Sequence, residues 1–407
     1  MSSSRSTLSA YLLGLASWFA PLGVQMVLFP WLVAVVLRMD AFSVGIAQAA
    51  LMAPGLLFLP LGGLVADRGN PRRLLALYHI IYALPPLALA WMSWKTELSY
   101  PLLIGYGVTM GAISAFALPT RDALLPSIVP RAKLPSAVAY VTAMQFVGQL
   151  LGIACGSQAD RFGAPPLLLA NSIVLLLGCV ALSWISDPPR DSNPKKGSFW
   201  RGVTEGVSEA ARSEQIWPVL LLNFGIGLFY VGPFMAVIPL AVRDAYAGSS
   251  AELAYTSFAF WAGTIIASMG MASVARRLDL RGRVIVIAVG VGTLVLTGLS
   301  TLPPFPVFVA LNFLWGIGAG ITLTQARTIV QLMAPPSHRA RLMSLFQLGM
   351  GGGGPIGSLI AGTVCAVWGL SIAMLLPALS MMLLVLLLLV HSQIWTMLTK
   401  EPMKEGA

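Results

Sequence analysis

Charged side chains are scarce in this sequence. Only 10% of its 407 residues are Asp, Glu, Lys or Arg, whereas 57% are hydrophobic. A soluble protein covers its surface with charged and polar groups, so this composition excludes a soluble enzyme and a nucleic-acid-binding module. The apolar segments are continuous and do not alternate with polar residues, which excludes a transmembrane β-barrel. We therefore predict an all-α polytopic membrane protein.

Cysteine and histidine are also rare. The three cysteines, Cys155, Cys179 and Cys365, fall in different apolar segments, and we interpret them as small packing residues. Neither a disulfide, a metal site nor a cofactor is predicted. The spans contain no Ser-His-Asp, His-Glu or Cys-His arrangement of the kind that catalysis needs, so we predict that the protein is not an enzyme.

The apolar segments are numerous enough for twelve crossings. At about 20 residues per crossing, twelve helices need about 240 residues and leave the rest for loops. We predict spans at residues 8–37, 43–66, 74–94, 101–128, 134–158, 165–185, 216–242, 255–275, 284–302, 306–331, 342–367 and 370–390.

The few basic residues are distributed unevenly. If the N-terminus is cytoplasmic and the chain crosses twelve times, the outer loops contain only Arg38, Lys95, Arg161 and Arg243 out of 25 Lys and Arg residues. Cytoplasmic loops of membrane proteins carry the excess of positive charge. Both termini are therefore predicted to be cytoplasmic.

One long polar stretch lies near the middle of the chain. Sliding the sequence along itself by about two hundred residues places Pro30 on Pro239 and Gly152 on Gly357, and a nearly constant offset of this kind is typical of duplicated halves. We predict an N-terminal six-helix bundle at residues 1–186, a cytoplasmic linker at 187–215 and a C-terminal six-helix bundle at 216–407.

The turn after the second span reads GGLVADRGNPRRLL. It resembles the loop signature of the major facilitator superfamily, G-x-L-A-D-R-x-G-R-R/K-x-x-L. A carboxylate at a helix end pairs there with nearby guanidinium groups and a neighbouring helix terminus, and so locks two bundles on the cytoplasmic side until the contacts break. The predicted gating residues are Gly63, Asp67, Arg68, Arg72 and Arg73.

A second segment resembles a subgroup of that superfamily. Residues 115–141 contain AFALPTRDALLP followed by VPRAKLP, and they are similar to the fourth helix and following loop of the secretion effectors, which include enterobactin-exporter-like and macrolide-efflux-like proteins. The resemblance implies a major facilitator fold, with twelve transmembrane helices in two pseudo-symmetric six-helix bundles, in the bacterial inner (cytoplasmic) membrane.

The resemblance also implies which helices face the substrate. In this fold helices one, four, seven and ten line a central cavity, with two, five, eight and eleven beside it. Amides, hydroxyls and aromatic rings on these helices suit a large amphipathic solute better than a sugar or a small ion. The alternative is that they form interhelical hydrogen bonds or face lipid. The cavity candidates are Trp18, Gln25, Tyr106, Thr109, Phe116, Gln145, Gln149, Asn223, Tyr230, Asn312, Trp315 and Thr322.

Two glycine-rich stretches favour close helix packing. One contains Gly148, Gly152 and Gly156 at four-residue spacing, and the other contains Gly354 and Pro355. The first resembles the G-P-x-x-G core of the antiporter motif of drug exporters without its proline. Plain packing and a role in preventing proton leak are both consistent with the pattern.

No Asp, Glu or Lys lies deep in any predicted span. Buried ionisable groups are the usual proton relays of transporters, so the sequence does not indicate where a proton binds. His79 falls in the third helix, an outer one in this fold, and is predicted to be a packing or interfacial residue. Arg121 and Arg327, near the membrane edges, are candidate sites for an anionic headgroup or snorkelling anchors.

These features predict a secondary active transporter. Our first hypothesis is a monomeric, proton-coupled exporter that moves hydrophobic or amphipathic small molecules, such as drugs or siderophores, by alternating access. The alternative is a transporter or flippase of lysophospholipid or another lipid with the same fold. The expected partners are the amphipathic substrate, membrane lipid and protons, and no nucleic acid.

Overall fold

The computed structural model describes residues 2–95, 98–130, 133–187, 207–274, 278–335 and 339–397. Within these ranges every regular element is a helix. The chain divides into two compact units. The first comprises Met1–Lys196 and Val242–Phe258, and the second comprises Gly197–Ala241 and Ala259–Ala407.

The first six long helices belong to the first unit. Asp40 begins the second of them by accepting a hydrogen bond from the Ser43 amide at 2.8 Å, as an N-cap residue does. The short helix Ala159–Phe162 and Gly163, with φ 77°, turn the chain into the sixth. The helices are α1 (Ser2–Pro30, continued by the π-helix Trp31–Val36), α2 (Ala41–Arg68), α3 (Pro71–Lys95), α4 (Tyr100–Ile128), α5 (Leu134–Gly156) and α6 (Ala164–Ser183).

Six further long helices follow in the described residues. The last helical segment, Arg339–His391, is interrupted at Gly369, where φ is 81° and ψ is 177°, so we treat it as two helices. The helices are α7 (Ile216–Ile226, the π-turn Gly227–Val231, and Gly232–Asp244), α8 (Ser250–Val274), α9 (Arg281–Ser300), α10 (Phe305–Met333), α11 (residues 339–368) and α12 (residues 370–391).

Ten helical segments in the described ranges are long and apolar enough to cross a membrane. One of them, Arg341–His391, has 51 residues and supplies two crossings at about 20 residues each. The helix α8, with 25 residues, is not among the ten, and its crossing stays a prediction. Each span predicted from the sequence coincides with one helix to within two turns, and the prediction of an all-α membrane protein is confirmed.

Glycines bring helix backbones together in both units. In the first unit α5 packs on α1, and a Cβ atom on Gly152 would overlap the carbonyl oxygen of Ala20. Gly148 and Gly156 contact α1 on either side of Gly152. We call this contact the α1–α5 seam, and its tightness explains why Gly occurs there at four-residue spacing.

The second unit contains a matching seam between α7 and α11. A Cβ atom on Gly357 would overlap the carbonyl oxygen of Leu228, and Gly353 makes a similar approach to Phe224. The predicted packing residue Gly354 lies beside Gly227, and Pro355 is buried next to it. We call this contact the α7–α11 seam.

Candidate functional site

A stack of aromatic rings lies inside the first unit between α1 and α3. The rings of Trp18 and Tyr82 stack with centroids 4.4 Å apart, and His79 meets the Trp18 ring nearly edge-on at 5.1 Å. The Tyr82 hydroxyl donates to Gln25 Oε1 at 3.3 Å and accepts from Ser114 Oγ at 3.4 Å. These five residues form what we call the ring stack, which therefore joins two cavity candidates, Trp18 and Gln25, to α3 and α4.

The second unit contains an aromatic cluster around Trp315, a cavity candidate on α10. Tyr230, another candidate, lies 5.7 Å from the Trp315 ring in an edge-on arrangement, and Phe234 and Phe260 lie at 5.8 and 5.7 Å. The Tyr230 hydroxyl donates to the Val289 carbonyl oxygen at 2.8 Å. The structure thus brings Tyr230 and Trp315 together and ties them to α9.

The buried amides among the candidates mostly hold helices together. Asn223 Nδ2 donates to the Phe346 carbonyl oxygen at 2.6 Å, and Gln149 Nε2 donates to Met26 Sδ at 3.2 Å. Asn312 Nδ2 donates to Phe308 in its own helix at 2.9 Å. Its Oδ1 atom is buried and has no hydrogen-bond partner among the described residues, so this amide retains an acceptor for a ligand or a water molecule.

The remaining cavity candidates do not join these groups. Tyr106 is buried with its ring 6.1 Å from Phe29, and Phe116 lies 6.3 Å from Phe58. Thr109 and Thr322 donate to the carbonyl oxygen one turn earlier in their own helices, a bond that satisfies the hydroxyl locally. Gln145 is half-buried on α5.

In the predicted gating turn, the close backbone contact is made by Gly62 and not by Gly63, the glycine that matches the motif. A Cβ atom on Gly62 would overlap the carbonyl oxygen of Ala115, whereas one on Gly63 would meet nothing within 4 Å. Gly62 is therefore the glycine of this turn that lets α2 approach α4. Arg68 is exposed, and the side chain of Asp67 lies outside what the structure describes.

The two arginines after this turn bind the end of α6. Arg72 donates to the carbonyl oxygens of Leu182 and Ser183 at 3.2 and 2.8 Å, which are among the last acceptors of a helix and lack partners within it. Arg72 and Arg73 also pair with Asp187 at 2.9 and 2.5 Å. We call these contacts the α3–α6 ion pair. Hydrogen bonds from Arg73 and Arg72 lower the pKa of Asp187 to about 2.

A second polar contact lies where the segment Val242–Phe258 joins the first unit. Asp160, in the short helix, accepts hydrogen bonds from the Ser249 hydroxyl and from Trp31 Nε1, the latter at 3.1 Å. Its other oxygen accepts from the Ser250 amide at 2.8 Å and from the Ser250 hydroxyl at 2.6 Å. Because Ser250 is the first residue of α8, the Asp160 carboxylate caps that helix from a distant part of the chain.

Arg243 reinforces this contact at the end of α7. Its guanidinium group donates to the carbonyl oxygens of Ala34 and Met39 at 2.8 and 2.6 Å. We call the five residues Trp31, Asp160, Arg243, Ser249 and Ser250 the clamp. Burial alone would raise the pKa of Asp160, but the hydrogen bonds from Ser249, Ser250 and Trp31 outweigh it and lower the pKa, so the carboxylate is charged near neutral pH.

The two candidate headgroup arginines differ in their surroundings. The guanidinium group of Arg121 lies 5.1 Å from the Phe19 ring and pairs with Asp122 at 3.2 Å. Arg327 is exposed. Arg121 is therefore already engaged by the protein, whereas the position of Arg327 agrees with a snorkelling anchor.

Sequence reasoning missed the partners of the residues it named. Tyr82 and Ser114 complete the ring stack, and Asp187 completes the α3–α6 ion pair. Tyr78, His79 and Tyr82 recur at helical spacing in the apolar middle of α3, a pattern that indicates one polar face. No comparable pattern indicates the clamp, because Asp160 and Ser249 are far apart in the chain and lie in the short segments that join long helices.

Comparisons with known proteins find membrane efflux proteins that are similar to this chain. A family model described as "Transmembrane secretion effector" matches residues 9–403. The chain is 20% identical over 330 residues to macrolide efflux protein A of Streptococcus pyogenes, covering 79% of this chain and 80% of that protein. It is 23% identical over 373 residues to the multidrug efflux pump Tap of Mycolicibacterium fortuitum, covering 89% and 90%.

A solved structure shows the same fold. The crystal structure of a point mutant of the nucleoside transporter NupG superposes with a TM-score of 0.80 at 13% sequence identity, covering 95% of this chain and 99% of that one. At this identity the likeness concerns the fold alone.

Proposed function

The chain belongs to the transmembrane secretion effectors of the major facilitator superfamily, and from that premise we propose that it exports hydrophobic or amphipathic small molecules by proton-coupled alternating access. In the proposed topology both termini are cytoplasmic and the protein works as a monomer in a bacterial inner membrane. Its relatives include proteins named as macrolide and multidrug efflux pumps, which supports export of drug-like molecules.

The ring stack is the observation from which we propose the class of substrate. It contains two stacked aromatic rings, an amide and hydroxyl groups, most of them buried between helices, and its residues form no ion pair among the described side chains. When the helices around them separate, groups of this kind can bind a large apolar solute by ring contacts and orient it with a few hydrogen bonds. A small ion would need a shell of several oxygen ligands, and a sugar would need more hydrogen-bonding groups.

The clamp is our candidate for a contact that changes during transport. The segment that carries Ser249 and Ser250 continues at both ends into the second unit. Alternating access requires helices of the two sequence halves to separate at one end and then at the other. We therefore propose that the clamp breaks once in each cycle, and that Asp67, Arg68, Arg72 and Arg73 act at the opposite, cytoplasmic end.

The lipid-transport alternative is less well supported. It was based on an uncharged cavity and on Arg residues at headgroup depth. Of these, Arg121 is paired with Asp122 and lies over the Phe19 ring, whereas Arg327 is exposed. The named relatives are efflux pumps. Membrane lipid therefore enters the proposal as the surrounding solvent and as the source from which an amphipathic substrate partitions.

The substrate proposal predicts a specific effect of removing one ring. Trp18→Ala should reduce efflux of a labelled macrolide and of a hydrophobic dye at least tenfold in cells that lack other pumps, because the stacked surface is lost. The matched control is Trp91→Ala on α3, where Trp91 is 58% exposed. Equal efflux by both variants, at equal expression and melting temperature, would remove the ring stack from the substrate path.

The clamp proposal predicts a separate effect on turnover. Asp160→Asn removes the charge that four donors converge on, and should lower the efflux rate at least threefold with little change in substrate affinity, because the balance between two states shifts. Asp122→Asn, which alters another exposed carboxylate of the first unit, is the control. A loss of affinity without a change of rate would contradict a gating role.

A further inference from the structure

His79 is buried in α3 with both ring nitrogens against carbonyl oxygens. Its Nδ1 atom lies 2.8 Å from the oxygen of Leu75 in the same helix, and its Nε2 atom lies 3.0 Å from the oxygen of Gly14 in α1. The side chain is 1% exposed. The packing or interfacial role predicted for His79 would require neither of these two hydrogen-bonding contacts.

These two contacts distinguish the protonation states of the ring. Neutral imidazole has one N–H donor and one acceptor nitrogen, whereas the imidazolium ion has two donors. A carbonyl oxygen can only accept. The neutral ring therefore donates to one of the two oxygens and places a lone pair against the other, while the charged ring donates to both.

Burial acts in the opposite direction. An ionic ring in apolar surroundings loses its hydration, and no charged side chain among the described residues compensates for this at His79. Protonation of His79 thus adds one hydrogen bond but costs the hydration of the charge. Loss of the proton removes both the bond and that cost. A group in this balance can take up and release a proton as its surroundings change.

Among the described residues, the helices packed around His79 carry no other side chain whose ordinary pKa lies near neutral pH. Gly178 of α6 lies against the ring and against Ser17, and Ser17 donates to the same Gly14 oxygen at 2.8 Å. Phenol and thiol groups are neutral near pH 7. The described titratable and charged side chains of the packed elements are Tyr11 on α1, Arg72, Arg73, Tyr78, Tyr82 and Lys95 on α3, Cys179 on α6, and Tyr100, Tyr106 and the mutually paired Arg121 and Asp122 on α4. Arg72 and Arg73 are paired with Asp187 at the end of α3.

We propose that His79 is the site in the first unit that binds and releases a proton during the transport cycle. The physiological role rests on the function proposed above, but proton binding is a property of the folded protein itself. The proton comes from water, is held on a ring nitrogen, and returns to water, so no other bond is formed or broken.

The ring stack supplies the connection to the substrate. His79 touches the edge of the Trp18 ring, whose face stacks on Tyr82, which in turn bonds Gln25. A charged His79 holds Gly14 of α1 and Leu75 of α3 at once. When the proton leaves, one of these bonds is lost, and the packing of Trp18 on α3 changes with it.

Nuclear magnetic resonance tests the proton site directly. The chain has only three histidines, so imidazole-labelled protein gives few signals, and His79→Gln assigns the one of interest. We expect that signal to titrate between about pH 4 and pH 8 in purified wild-type protein, with both nitrogens protonated at the acidic end. A signal that stays neutral and in one tautomer throughout, while the protein remains folded, would overturn the proposal.

Transport measurements separate failure of the site from failure of the proposed function. In proteoliposomes with an imposed pH gradient, His79→Gln should reduce gradient-driven movement of a labelled macrolide at least tenfold and retain exchange without a gradient. His391→Gln, at an exposed histidine, is the control. If gradient-driven transport persists in His79→Gln, the inference is wrong and the function stands. If wild-type protein moves none of the probes, the function fails, and the titration still decides whether His79 binds a proton.

Discussion

The two seams have the same construction, but the polar groups beside them differ. Gly152 against Ala20 in the first unit and Gly357 against Leu228 in the second bring the fifth helix of each half onto the first. Next to the α1–α5 seam stands the ring stack with His79, whereas the α7–α11 seam is accompanied by Tyr230, bonded to Val289 and Thr293. The close helix packing is therefore repeated in both halves, whereas the titratable and hydrogen-bonding groups beside it differ.

This difference suggests that the two units contribute differently to transport. Close backbone packing depends on the absence of a side chain, so any change is costly and the seams stay alike. Hydrogen-bonding residues beside a seam are less constrained. A histidine can change its charge near neutral pH, while tyrosine and threonine hydroxyls remain neutral. We therefore expect the first unit to respond to pH and the second to contribute a fixed aromatic surface.

The largest effects should come from filling the seams. Gly152→Val and Gly357→Val each place carbon atoms where a carbonyl oxygen lies, and each should lower the free energy of unfolding by about 3 kcal/mol or more. The measurement is the yield and melting temperature of purified protein. The matched controls are Gly105→Val and Gly290→Val, where a Cβ atom would meet nothing within 4 Å. Tolerance of only one seam variant would show that the two seams are not equivalent.

A smaller effect should follow from removing the Tyr230 hydroxyl. Tyr230→Phe leaves the Val289 oxygen and Thr293 without their shared partner, and should cost about 1–2 kcal/mol of unfolding free energy. The dependence of transport on pH should keep its wild-type form, unlike that of His79→Gln. Tyr255→Phe, at a tyrosine that is 59% exposed, controls for the substitution. A shifted pH profile in Tyr230→Phe would contradict the division between the units.

The helices were predictable because each apolar run is long and separated from the next by polar or Gly/Pro residues. The cavity candidates Trp18, Gln25, Tyr230 and Trp315 were chosen from the helices that the family resemblance indicated, and whether they bind substrate stays a prediction. What the sequence could not supply is pairing across the chain. Nothing near His79 in sequence indicates that its second nitrogen meets Gly14, since that contact depends on how α1 packs on α3.

Asp187 illustrates the same limit, because its position just after α6 indicated the beginning of a linker rather than a partner for Arg72 and Arg73. The second unit places Arg283 similarly, with its Nε atom donating to the Trp395 carbonyl oxygen at 2.9 Å and its guanidinium group over the Trp395 ring. Arg72 and Arg73 in the first unit thus bind a carboxylate, whereas Arg283 in the second unit binds a carbonyl oxygen and an aromatic ring.

The smallest effect should come from neutralising that carboxylate. Hydrogen bonds from Arg73 and Arg72 hold the folded-state pKa of Asp187 at about 2, below its ordinary value of 3.8, so its contribution is complete above about pH 4 and is lost as the pH falls toward 2. Asp187→Asn should lower the melting temperature slightly at pH 7, and this difference should shrink at acidic pH and in high salt, because the pair is exposed to solvent. Arg283→Met should instead cause a loss that varies little with pH, since its partners do not titrate. If the Asp187→Asn difference were the same at about pH 3 and pH 7, the carboxylate would not be the group that distinguishes the two ends.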